Sequence, residues 1–231
     1  VPPDFHIPNL PSPMDRFTKV YKLVKNLYGL KDAGRTWNEH LHQGLLKRGW
    51  KHSKVNECLY FKKDLILILY VDDACLISPS NKQIDEEIKS LQVDYDLTDD
   101  GELSNYLGTR FTKLPDGTVN LTMPRMIERV LDVVGLNHPD SNVKSHDTPA
   151  TTVLQPNQQD TPRLHSWNYR SEVGCLSYLQ AMICPDITFA VQQCSRFNNN
   201  LTREHELAIK HIFRYILRTK DKGLMLKPDR T

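Results

Sequence analysis

The thirteen residues LILILYVDDACLI, Leu65 to Ile77, constrain the fold more than any other stretch: an apolar run, two adjacent aspartates, then apolar chain again. The run is too short to span a bilayer and lacks the polar gaps of a surface helix, so it reads as a buried strand. Two like charges do not belong in mid-core, which places the aspartates at a turn between antiparallel strands. With ECLYFKKD ahead of it, the segment reads as strand, turn at Lys62 to Asp64, strand, turn, strand. The expectation is antiparallel strands over residues 55 to 78, with a fully buried middle strand.

The neighbouring patterns fit an α+β domain. GRTWNEHLHQGLLKRGW sets Trp37, Leu41 and Leu45 on one face, predicting a helix from about Thr36 to Arg48 packed on the sheet through those three side chains, with Gly49 near its end. NKQIDEEIKSLQVDY predicts an exposed helix capped by asparagine, and LSNYLGTRFTKLPDGTVNLTM a hairpin closed by Pro115-Asp116-Gly117. MPRMIERVLDVVGL aligns Ile127, Val130, Leu131 and Val134 on one helical face, with Gly135 as a stop. Three more helices are expected: about Trp167 to Ile183, one opening at Pro185, and one capped by Thr202 that runs to Arg218 with Lys210, Arg214 and Arg218 along one side. VPPDFHIPNLPSP, with five prolines in thirteen residues, reads as an extended lead-in, and residues 137–165, polar with four prolines, as a linker.

At 231 residues the chain can hold one large domain or two small ones, and 39% hydrophobic with 25% charged residues argues against general disorder. Five scattered cysteines without a C-x-x-C pair suggest neither a disulfide framework nor a zinc site, and point to reduced thiols in an intracellular compartment. No signal peptide or bilayer-spanning run is seen, and both ends read as cuts in a longer chain. The net charge of +2 conceals a segregation. From Arg16 to Lys54 ten Lys/Arg face two Asp/Glu, a net of +8; from Asn81 to Tyr106 eight Asp/Glu face two Lys, a net of −6. Such a basic lobe steers a polyanion, although a solvated face is its commoner meaning.

Crowded carboxylates repel, and a divalent cation between them relieves the cost. Aspartate oxygens suit Mg²⁺, which keeps waters and is completed by substrate phosphates. Two such ions about 4 Å apart clamp the attacking and leaving oxygens of a phosphoryl transfer. An Asp-Asp pair alone is still more often a metal-free turn.

Larger motifs change that balance. Tyr70-Val71-Asp72-Asp73 resembles the Y-x-D-D box of reverse transcriptases, and NLYGLKDAGRTW resembles the SLYGLKQAPRAW signature of copia-type retrotransposon polymerases. GELSNYLGTRF, YRSEVGCLSYLQAMICPDITFAVQQCSRF and HELAIKHIFRYILRTKDKGL resemble later segments of that family, in its order, over nearly the whole chain. The resemblance implies a partial polymerase palm, an antiparallel sheet with helices, followed by a mostly helical thumb and connection region. Residues 1–112 would be partial fingers and palm, 113–200 thumb-like with the linker, and 201–231 a connection toward an absent ribonuclease H.

Residue by residue, the resemblance makes Asp72 and Asp73 the catalytic ligands of Mg²⁺ or Mn²⁺. Tyr70 and Val71 would lie near the primer end, and Tyr28, Gly29, Leu30 and Lys31 would line the nucleotide or template side, with core packing the alternative for Tyr28 and Leu30. Leu107 and Gly108 fall in the primer grip. Arg125 and Arg129 would track a phosphate backbone or form a plain solvated face. The implied partners are an RNA template, a DNA primer, their RNA–DNA hybrid, deoxynucleoside triphosphates and the rest of a Pol polyprotein, with no membrane; the implied location is a cytoplasmic virus-like particle or the nucleus.

Two departures stand out. Asp32 and Gly34 replace the family's glutamine and proline, which removes a preset φ at a helix start and adds a negative charge. The family's first metal-binding aspartate, in a D-V-x-x-A-F-L segment, precedes the stretch that VPPDF resembles, and Asp4 and Asp15 do not match it. The leading expectation is therefore an RNA-directed DNA polymerase fragment. The alternatives are an inactive remnant that at most binds nucleic acid, and a structural subunit that needs the missing segment from another chain.

Overall fold

The computed structural model describes residues 26–27, 29–136, 143–156, 161–164, 166–199 and 201–228. These form two compact units, divided between Asp99 and Asp100. The first holds α1 (Ala33–Lys47), β1 (Lys51–His52), β2 (Leu59–Lys62), β3 (Leu65–Tyr70), β4 (Asp73–Ile77) and α2 (Asn81–Gln92). The second holds β5 (Asn105–Tyr106), β6 (Thr109–Lys113), β7 (Val119–Thr122), α3 (Pro124–Val133), α4 (Tyr169–Met182), a 3-10 turn (Pro185–Ile187), α5 (Thr188–Ser195), α6 (Arg203–Thr219) and β8 (Leu224–Leu226).

In the first unit β1 to β4 pair antiparallel in chain order. Lys62 lies opposite Leu65 and Tyr70 opposite Asp73, so two-residue turns, Lys63-Asp64 and Val71-Asp72, close successive hairpins. Side chains alternate along a strand, and one row, Tyr60, Leu65 and Leu67, packs with Leu41 and Leu45 of α1 and with Ile84 and Leu91 of α2 around Trp50 and Tyr95. The expected meander is present, but its middle strand is not fully buried. Ile66 and Ile68 point the other way and are only half-buried, and Tyr70 is exposed.

Two expectations about helices need correction. Leu45 and Leu41 reach the core, but Trp37, two turns earlier on α1, is 38% exposed and lies outside it. In α2 the cap is Ser80, with Asn81 already helical, and the helix is not wholly solvated: Glu87 and Leu91 are buried. Glu87 is a hub. Its Oε1 accepts from the indole Nε1 of buried Trp50 at 2.8 Å, and its Oε2 accepts from Lys62 Nζ at 2.6 Å, while the Lys62 ammonium lies 5.8 Å from the Trp50 ring centre.

The second unit has an antiparallel sheet of order β5-β6-β7-β8. The Pro115-Asp116-Gly117 turn closes β6 and β7 as expected, with Asp116 accepting from the Thr118 backbone at 3.0 Å and hydroxyl at 2.8 Å. Those bonds hold its carboxyl below the ordinary range. The helices share one core: Ile127, Val130 and Leu131 of α3, Leu176 and Leu179 of α4, Val191 of α5, and Ile209, Ile212, Phe213 and Ile216 of α6. That last set is the 3-4-7 stripe of an amphipathic helix, and Thr202 caps it in a capping box with His205. The described part of the expected linker is not free chain. Val143, Ala150 and Leu154 pack on this core, His211 Nε2 donates to the Thr148 carbonyl at 2.8 Å, and the Arg203 backbone donates to the Thr161 carbonyl at 3.0 Å. The role-based divisions after residues 112 and 200 both fall inside this second unit.

The architecture is α+β: among the described residues there are two antiparallel sheets and six α-helices. All five cysteines are free, and burial pushes the Cys184 thiol up to about 11 and that of Cys194 to about 12, which favours the protonated thiol at neutral pH. Among the described residues no helix is long and apolar enough to cross a membrane.

Candidate active site

The β3–β4 hairpin lifts the aspartates to its tip. Asp72 is the second turn residue and Asp73 the first of β4; both are exposed. Val71, the first turn residue, has φ +55°, a left-handed conformation that a β-branched side chain disfavours. The exposed Trp37 explains itself here: its indole Nε1 donates to the Val71 carbonyl at 3.2 Å. Among the described residues neither aspartate is tied up in an ion pair, and no three ligating side chains gather. Two adjacent sets of hard oxygens at a turn suit an ion that keeps several waters and takes further oxygens from phosphate.

The segment before α1 forms a turn, with the Leu30 backbone donating to the Leu27 carbonyl at 3.2 Å and the Ala33 backbone to the Leu30 carbonyl at 3.1 Å. Gly29 has φ +90° and open space where a Cβ would project, so its backbone, not crowding, is what requires glycine. Leu30 and Lys31 are exposed, which removes core packing as the account of Leu30. Tyr28 lies outside the described residues. Asp32 is the N-cap of α1 without a side-chain cap bond, and Gly34 is its second helical residue. The Trp37 bond thus sets the N-terminal half of α1 beside the hairpin tip.

In the second unit Leu107 and Gly108 are the two turn residues between β5 and β6, with φ +50° and +77°. Positive φ at both positions is the type I′ hairpin, which leucine disfavours. Again an aromatic donor meets the strained residue: Tyr178 of α4 donates its hydroxyl to the Leu107 carbonyl at 2.8 Å. Arg125 and Arg129 lie on the exposed side of α3, one helical turn apart. The charge of Arg129 is also felt by Glu172 on α4. Burial pushes the carboxyl of Glu172 on α4 above the ordinary range, and the Arg129 guanidinium pulls it back. On the basic side of α6, Arg218 is paired with Asp147 at 3.0 Å, and Lys210 and Arg214 are half-buried.

Glu172 gives a prediction. Its folded pKa lies above the unfolded one, so its contribution to stability is full below the unfolded value and is lost as pH rises through the folded value. Glu172→Gln keeps the shape and removes the buried charge. Urea unfolding should find the variant more stable than the parent at neutral pH and equal to it below about pH 4. A parent curve that rises from acid to neutral relative to the variant would contradict this.

Spacing along a helix reports which face is apolar. It carries no sign of a bond such as Trp37 to Val71, made 34 residues away, and the Tyr178 bond was hidden for the same reason.

Residues 5–149 match the family described as reverse transcriptase (RNA-dependent DNA polymerase). Similar curated proteins include the retrovirus-related Pol polyprotein from transposon RE1 of Arabidopsis thaliana, 31% identical over 94% of this chain and 15% of that polyprotein. The counterpart from transposon TNT 1-94 of Nicotiana tabacum is 32% identical over 85% of this chain and 16% of its own length. A putative transposon Ty5-1 protein of Saccharomyces cerevisiae is 27% identical over 89% of this chain and 67% of that protein. The chain thus spans about a sixth of the two plant polyproteins it matches. No solved structure gives a significant match. With the family match covering more than half of its residues, on the segment that holds the aspartate hairpin and the turn before α1, the chain belongs to the reverse transcriptase (RNA-dependent DNA polymerase) family.

Proposed function

We propose that this chain is part of the RNA-directed DNA polymerase of a copia-type retrotransposon, which copies RNA into DNA by attack of a primer 3′-hydroxyl on the α-phosphate of a deoxynucleoside triphosphate, with pyrophosphate leaving. The observation that carries this is the two-residue hairpin that presents Asp72 and Asp73 at an exposed tip. Those two carboxylates would hold the Mg²⁺ or Mn²⁺. Bound metal supplies Lewis-acid stabilisation of charge on the attacking and leaving oxygens. The protein's own residues do the remaining work. Lys31 offers an exposed cation for phosphate oxygens just before α1. Tyr70 and Val71 present exposed apolar surface at the tip on which a primer end can rest, while Leu107-Gly108 supplies a second fixed turn for the primer strand. Arg125 and Arg129 face solvent one turn apart and can follow a phosphate backbone.

The test is nucleotide incorporation on a poly(rA) template with an oligo(dT) primer, in Mg²⁺ and in Mn²⁺. The longer protein that also carries the family's D-V-x-x-A-F-L segment should extend the primer, and the 231 residues alone should extend it little or not at all, because two carboxylates from one turn leave the ions without a third to bridge them. Binding of an RNA–DNA hybrid, followed by fluorescence anisotropy, should weaken steeply with salt, since phosphate contacts release counterions. A longer protein that binds hybrid but never extends would reduce the reading to a nucleic-acid-binding remnant. Binding that is absent or insensitive to salt would remove that reading as well.

A further inference from the structure

We propose that Trp37 is a positioning residue for the aspartate turn, holding the Val71 carbonyl so that Asp72 and Asp73 are presented in one geometry. The inference rests on the polymerase reading for the use made of that geometry, but not for the geometry itself. A valine at φ +55° persists only where its surroundings over-determine it. Trp37 supplies that restraint through the Nε1 donor 3.2 Å from the carbonyl of the strained residue. The indole is itself held. Its ring meets Tyr95 edge-on, with centroids 6.1 Å apart at 89°, and Tyr95 is buried beneath the Arg48 guanidinium, 5.6 Å from the ring centre, while Arg48 pairs with Asp94. Tyr95 fits there because residue 44 is glycine: a Cβ added at that position would collide with the Tyr95 Oη. A line of contacts thus runs from Gly44 through Tyr95 and Trp37 to the tip.

The rest of the molecule supports a specific role for such a clamp. Among the described residues three two-residue hairpins carry a non-glycine residue at positive φ: Lys63, Val71 and Leu107. The Val71 and Leu107 turns, which bear the residues assigned to catalysis and to the primer grip, each have an aromatic donor from a helix on the strained carbonyl, Trp37 and Tyr178. Lys63, at a plain surface turn, has no such side-chain donor among the described residues. Simple packing does not explain Trp37, since it lies outside the core and more than a third of it is exposed.

The experiment uses the ¹⁵N-labelled 231-residue chain and its variants, with Mn²⁺ as the probe. In the parent, the amide signals of Val71 to Ala74 should broaden first as Mn²⁺ is added. Trp37→Phe keeps the ring and removes the donor. It should shift those amides, raise the Mn²⁺ concentration needed for broadening roughly tenfold, as loss of a supporting partner does at other metal sites, and leave the melting temperature unchanged. Trp37→His, which restores a ring N–H, should recover part of the effect. Gly44→Ala should reproduce the Trp37→Phe shifts from a distance, and Gly44→Ala with Tyr95→Phe, which removes the colliding hydroxyl and leaves only the tight approach of the ring Cζ at 3.0 Å, should reverse them in part. Unchanged turn amides in Trp37→Phe and Gly44→Ala overturn the proposal. Asp72→Asn separates the two readings: if it leaves the Mn²⁺ broadening intact, the metal assignment fails, and Trp37 is then judged on the amide shifts alone.

Discussion

Asp72→Asn and Asp73→Asn, each made in a protein long enough to extend a primer, should reduce incorporation on poly(rA)–oligo(dT) by well over a hundredfold in both Mg²⁺ and Mn²⁺. Loss of an outer partner of a metal ligand typically costs ten- to a hundredfold, so loss of a ligand oxygen's charge should cost more. Neither change should destabilise the fold. Both side chains are exposed and none of the described ion pairs uses them, and removing one of two adjacent like charges relieves repulsion. Melting temperature and hybrid affinity should therefore stay at parental values while synthesis disappears. Synthesis that survives both substitutions would show the pair to be an ordinary turn.

Glu87→Ala should be the most damaging single change in the first unit outside its apolar core. Glu87 is 6% exposed and receives both the Trp50 indole N–H and the Lys62 ammonium, so its removal leaves a buried donor unsatisfied and a mostly buried cation without its partner. Breaking such a pair costs about 3 kcal/mol, a fall of roughly 12–24 °C for a unit of this size. Glu87→Gln keeps an acceptor for Trp50 and loses only the ion pair with Lys62, which is a quarter exposed, so about 1 kcal/mol is expected. Thermal unfolding followed by circular dichroism distinguishes the two. Equal losses would mean that the Lys62 bond carries the whole effect.

Glu87 also shows where the sequence stops being legible. In NKQIDEEIKSLQ the two glutamates look alike, and a charge-rich helix reads as solvated. What buries the second is a tryptophan from the connection between α1 and β1 and a lysine from β2, brought in by tertiary packing. Trp37 fails in the opposite sense. The spacing Trp37, Leu41, Leu45 is a good apolar stripe, and Leu41 and Leu45 obey it, but Trp37 stays out of the core and spends its indole N–H on the Val71 carbonyl at the hairpin tip. The meander, the Pro115-Asp116-Gly117 turn, the stop at Gly135 and the Thr202 cap were readable because each is dictated within a few residues. The aspartate pair was readable as a turn from its apolar flanks, and as a candidate site only through the larger motifs around it. The bonds that fix that turn lay beyond any local pattern.

The last strand has a consequence for how the molecule is made. In the first unit each strand pairs with its neighbour in sequence, so every hairpin can close as soon as it is synthesised. In the second, Leu121 pairs with Leu224 and Val119 with Leu226, partners roughly a hundred residues apart, and Gly223 is needed because a Cβ there would run into Asn120 and the Leu121 carbonyl. The two units therefore mature on different clocks. The aspartate hairpin can be in place while the second sheet still waits for its closing strand, and a nascent or proteolysed chain that ends before Leu224 keeps β7 as an open edge, a template for a strand from another molecule.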